Sequence, residues 1–90
     1  MGREIKLFKS EEKKSRSDIS TFLHRIADRI DQGTVTLRQG DSELKLDIPG
    51  TAILEVQVEE EDKKRKGTQH SLELEIKWYD GTAESGLELG

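Results

Sequence analysis

Leu72-Glu73-Leu74-Glu75-Ile76-Lys77-Trp78 alternates apolar and charged residues without a break and ends on the chain's one tryptophan. Side chains of a strand point to opposite faces in turn, so this stretch is a strand with one apolar and one charged face. Working back from it, three more segments carry the same period: T-V-T-L-R-Q from Thr34, S-E-L-K-L-D-I from Ser42 and T-A-I-L-E-V-Q-V-E from Thr51. Turn residues separate them. Gly40-Asp41 is a two-residue turn with glycine first, Pro49-Gly50 divides the next pair, and Lys63 to Gly67 divides the last.

These turns predict registers. The turn at 40–41 sets Leu37 opposite Leu44 and Val35 opposite Leu46. A tight turn centred on Gly50 sets Leu46 opposite Leu54, Leu44 opposite Val56 and Ile48 opposite Ala52. A loop centred on Arg65 sets Val56 opposite Leu74, Leu54 opposite Ile76 and Ala52 opposite Trp78. All these apolar side chains fall on one face. Trp78 then closes the end of a core beside the small Ala52, with its indole N–H at the rim. If most of the ring is buried, Trp78→Ala should cost about 3–5 kcal/mol. The other face carries Thr36, Arg38, Glu43, Lys45, Asp47, Ile53, Glu55, Gln57, Glu73, Glu75, Lys77 and Tyr79, almost without apolar groups, the pattern of an antiparallel sheet with one wet side.

Upstream the period changes to 3.6. Ile19, Phe22, Leu23, Ile26, Ala27 and Ile30 recur at steps of three and four, a helical stripe over about 16–32. Ser15 precedes Asp18 by three, a capping-box spacing, and Gly33 is the stop. Before the helix, Ile5, Leu7 and Phe8 predict a first strand to about Lys9. It is expected outside the last strand, or alternatively parallel to the segment at 34–39 through a right-handed crossover. The expected fold is α+β: one amphipathic helix on one face of a mostly antiparallel sheet of about five strands, in the order β-α-β-β-β-β. Residues 1–80 are read as one domain and 81–90 as a disordered tail. The expected core is Ile19, Phe22, Leu23, Ile26, Ile30, Val35, Leu37, Leu44, Leu46, Leu54, Val56, Leu72, Leu74, Ile76 and Trp78.

The totals make strict patterning necessary. Of 90 residues, 31% are hydrophobic and 38% charged, close to compositions that stay unfolded. Net charge is −4, which gives no general attraction to nucleic acid or an anionic membrane. There is no cysteine, so disulfides, thiolate metal sites and cysteine nucleophiles are excluded. No run approaches the roughly 18 apolar residues of a membrane span. The opening Met1-Gly2-Arg3-Glu4 lacks the apolar run of a signal peptide, and a cytoplasmic protein is expected.

The helix followed by charged hairpins resembles the amphi-Trp domain family, small prokaryotic proteins of largely unassigned function. The matching pieces are S-R-S-D at 15–18, L-H-R-I-A-D-R-I at 23–30 with Gly33, V-T-L at 35–37, D-I-P at 47–49 and the alternating strand to Trp78. Their order and spacing over roughly residues 5–79 carry the resemblance. It implies the fold and brings no catalytic residues.

Candidate chemistry is sparse. His24 and His70 are the only histidines and have no metalloprotease spacing, so no metal and no cofactor are expected. Glu73 and Glu75 share a face with Lys45 and Lys77, which reads as solvated charge pairs ahead of acid/base catalysis. No nucleophile elbow or phosphate loop is present, and the chain is read as not an enzyme. Lys63, Lys64, Arg65 and Lys66 form a basic tetrad directly after Glu59-Glu60-Glu61-Asp62, the pattern of a charge-compensated hairpin tip. Tyr79 is the one aromatic expected to face away from the core. The expected function is therefore a small interaction module, binding an unknown protein partner or a second copy through a sheet edge. The alternative is nucleic-acid binding through the tip at 63–66, against which stands the lack of aromatic residues for base stacking.

Overall fold

The computed structural model describes residues 2–80. The chain divides into two units, Met1–Ile48 and Pro49–Gly90. The expected tail at 81–90 lies outside the described residues.

In the first unit, Ser15 begins the helix as its cap. Its extended backbone leaves the hydroxyl free to accept the amide N–H of Asp18 at 3.0 Å. The helix α1 runs Arg16–Gln32. Gly33 ends it at φ 94°, a left-handed conformation natural to glycine, and donates its N–H to the carbonyls of Arg29 and Ile30. Two strands follow at once, β1 (Thr34–Gln39) and β2 (Ser42–Asp47). Gly40 takes φ 58°, the positive value needed at the first position of the two-residue turn between them. The register is the expected one, with Val35 opposite Leu46 and Leu37 opposite Leu44. The helix packs on β1, and Val35 is buried there with 5% of its surface exposed. Ile26, Ile30, Leu37, Leu44 and Leu46 are half-buried. Ile19, Phe22 and Leu23, at the first half of the helix, are about half exposed.

The second unit is a long ribbon of two ten-residue strands, β3 (Ile53–Asp62) and β4 (Thr68–Lys77), joined through a 3₁₀ turn at Lys64–Lys66. Here too the expected register holds: Leu54 faces Ile76 and Val56 faces Leu74. The ladder adds Val58 opposite Leu72. Ala52 and Trp78 come one residue beyond the last pair, Ile53–Lys77, and Trp78 is half-buried.

The α+β class holds, but among the described residues a five-stranded sheet does not form. Four strands make two antiparallel pairs, β1–β2 and β3–β4. Two expectations are corrected. The first strand at 5–9 is absent: residues 2–15 carry no regular structure, and Ile5 and Leu7 are exposed. Three apolar residues among charges do not hold an extended segment without a ladder partner. Phe8 alone is half-buried, lining a groove with Phe22, Ile26 and Val35. The expected pairing across Gly50 is also absent, so Leu46–Leu54, Leu44–Val56 and Ile48–Ala52 are not ladder pairs. The physical reason lies at 48–49. Ile48 donates its N–H to the carbonyl of Gly33 at 2.8 Å, and Pro49 has no N–H to give. Neither of these two residues has an N–H free to pair with residue 52.

Candidate functional site

The β3–β4 ribbon brings together most of the residues singled out in the sequence. Period 2 and the observed register place Leu54, Val56, Val58, Leu72, Leu74 and Ile76 on one face. All six are exposed, from 37% at Ile76 to 72% at Val58. The opposite face carries Glu55, Gln57, Glu59, Glu73, Glu75 and Lys77. Glu55 and Gln57 on that side are half-buried, because polar side chains cover one another. Gln57 Nε2 donates to Glu59, and Ser71 Oγ donates to Glu73 at 3.4 Å.

Glu55 and Lys77 make the best-defined polar contact. Glu55 lies directly opposite Glu75, a like-charge pairing. Lys77, diagonal to Glu55, donates Nζ to Glu55 Oε1 at 2.9 Å. That hydrogen bond, and then the ammonium charge, hold the Glu55 carboxyl below its ordinary pKa of 4.5. The same bond and charge raise Lys77 above 10.5. Glu55 is therefore fixed as a carboxylate, which suits a structural acceptor and not a general acid. The sequence places Glu55 or Gln57 across from Glu73 and Glu75, and in the structure Glu55 faces Glu75 and Gln57 faces Glu73. The signal was legible: a loop centred on Arg65 already placed Glu55 beside Lys77.

The basic tetrad sits at the tip. Asp62 Oδ1 accepts the N–H of Lys64 at 2.8 Å, and Gly67 N–H caps the turn on the Lys64 carbonyl at 2.9 Å. Lys64 itself takes φ 57°, strained for a residue with a Cβ. Lys63 Nζ pairs with Glu61 at 3.3 Å, and the His70 ring nitrogen Nδ1 lies 3.4 Å from the Glu60 carboxylate. Among the described residues, Lys64, Arg65 and Lys66 form no ion pair. Tyr79 is 73% exposed just past β4. His24, on the helix, donates Nδ1–H to the Ser20 carbonyl at 2.8 Å. Among the described residues, no three His, Asp or Glu side chains are placed to share a metal ion. Among the described residues, no helix is long and apolar enough to cross a membrane.

A capped helix with a glycine stop, a tight hairpin, Pro-Gly, and a ribbon ending in an alternating strand before Trp78 thus follow in order. The family model of the Amphi-Trp domain matches residues 1–90. The chain belongs to the Amphi-Trp domain family. Comparison with curated proteins and with solved structures gives no match. Amphi-Trp membership names an architecture and assigns no activity. In this Amphi-Trp domain β4 is amphipathic, and the tryptophan follows it directly.

Proposed function

We propose that this Amphi-Trp domain is a non-enzymatic interaction module that self-associates through a sheet edge. One observation carries the reading: β3 and β4 are ten residues long, each has among the described residues a strand partner on one side only, and they share a face of six exposed apolar side chains. An unpaired strand edge offers a row of amide donors and acceptors to another chain. An isolated two-stranded ribbon is marginal in water, and added strands stabilise it. The high charge and the lack of cysteine suit a prokaryotic cytoplasm. Sedimentation or light scattering over a concentration series tests the proposal. A mass that rises toward twice 10.2 kDa supports it, and a monomer up to about millimolar removes it.

A second reading, nucleic-acid binding, is favoured by the three cations without ion pairs on the 64–66 turn. Binding of this kind weakens steeply with salt. Reversing Lys64, Arg65 and Lys66 to glutamate should abolish it. No salt-sensitive binding by the unaltered protein ends this reading.

A further inference from the structure

The hydrogen-bond parity of the ribbon shows which amides point outward. Lys63 donates its N–H to the Gly67 carbonyl at 2.8 Å, which makes 63 and 67 a hydrogen-bonded pair. Antiparallel pairs alternate between bonded and non-bonded. By that alternation Glu61–Gln69, Glu59–Ser71, Gln57–Glu73 and Glu55–Glu75 are bonded pairs. The amides of Thr68, His70, Leu72, Leu74 and Ile76 therefore point away from β3, along the outer edge of β4. On β3 the same holds for Leu54, Val56, Val58, Glu60 and Asp62.

The two edges differ in charge. β3 carries Glu55, Glu59, Glu60, Glu61 and Asp62 with no base. β4 carries Glu73 and Glu75 with Lys77 and His70. Like charges directly opposite destabilise strand pairing, and acidic residues blunt an edge. The best β3–β3 pairing, centred on Val56, leaves the outward amides of Glu60 and Asp62 without strand partners.

Resting on the self-association reading, we infer that the second copy adds along β4, antiparallel, with Leu72 opposite Leu72 at the two-fold axis. A one-residue slip would set outward amides against inward ones and apolar side chains against charged ones, so only even shifts remain. Centring on Glu73 sets Glu73 against Glu73. Centring on Leu74 sets Glu73 against Glu75. Centring on Ser71 leaves Ile76 unpaired. Centring on Leu72 pairs every outward amide from Thr68 to Ile76. It also sets Glu73 opposite the Ser71 hydroxyl and Glu75 opposite the Gln69 amide, so each acid meets a neutral donor. On the apolar face Leu72 meets Leu72, His70 meets Leu74 and Thr68 meets Ile76. The result is a four-stranded sheet in the order β3-β4-β4-β3.

The chain has no cysteine, so single cysteines report the register directly. At the axis, Cα atoms of a bonded pair lie about 5.5 Å apart, within disulfide reach. Residue 74 lies about 13 Å from its own copy across the axis. Under mild oxidation Leu72→Cys should cross-link to a dimer, and Leu74→Cys and Val56→Cys should not. In the unaltered chain, amide exchange at His70, Leu72 and Leu74 should slow at least about tenfold as concentration rises, with Glu73 and Glu75 little changed. Protection gained at Leu54 and Val56, or cross-linking of Val56→Cys, would place the interface on β3. Faster cross-linking of Leu74→Cys than of Leu72→Cys would show another register. Either result overturns the inference while leaving self-association standing, whereas a monomer at all concentrations removes both.

Discussion

At the residue scale, the Glu55–Lys77 contact has a defined pH window. The folded pKa of Glu55 is lowered, so its stabilisation is present above 4.5 and is lost as pH falls through the lowered value. The folded pKa of Lys77 is raised, so its stabilisation is present below 10.5 and is lost as pH rises through the raised value. Lys77→Met should return the Glu55 titration toward 4.5, read by carboxyl carbon NMR. An unchanged Glu55 titration would show that the 2.9 Å bond is not kept in solution. Lys64 gives a second case. Its φ of 57° costs about 1–2 kcal/mol for a residue with a Cβ. Lys64→Gly should therefore raise the urea midpoint, by about 1 kcal/mol of stability, while removing a tip charge. Gly33→Ala should lower stability by about 1–2 kcal/mol, all of it backbone strain. A Cβ built at Gly33 meets nothing within 4 Å. The positive φ of Lys64 had no signal in a run of four bases, whereas Gly33 and Gly40 announced theirs by being glycine.

At the element scale, each piece of secondary structure is set by neighbours in the chain. The helix starts at the Ser15 hydroxyl and stops at Gly33, both readable from residue type. Ser15→Ala should lower stability by about 1 kcal/mol, measured by thermal or urea unfolding, because the Asp18 N–H loses its acceptor. Both hairpin registers were legible for a similar reason. Once a turn is placed, loop length and the two-residue period leave one pairing that keeps Leu with Leu and Val with Leu. The leading segment at 5–9 was expected to pair beside the last strand or beside the segment at 34–39, and among the described residues neither ladder forms. The tip was expected to be charge-compensated, and among the described residues one of its four bases, Lys63, has an acid partner, Glu61. The exposure of Lys64, Arg65 and Lys66 without ion partners depends on the 3₁₀ turn that carries them.

At the scale of the whole molecule, charge governs association. Two copies each bearing −4 repel, and salt screens that repulsion. Self-association through β4 should therefore tighten between about 0.05 and 0.5 M salt, whereas phosphate binding at the tip should weaken over the same range. One salt titration by sedimentation, with and without a nucleic-acid oligomer, separates the two readings. Solubility should be lowest near pH 5.2, where net charge vanishes.

The sequence by itself determined the helix and its caps, the turn positions and the pairing within each hairpin, because each depends on a few adjacent residues and on parity. Tertiary structure alone decided how far each ladder extends. Every strand here shares the same alternation, so apolar pattern alone ranks no partner above another. Ile48 donates its N–H to Gly33, fifteen positions away, which carries the β1–β2 ladder one pair further, and Pro49, which has no N–H, follows at once.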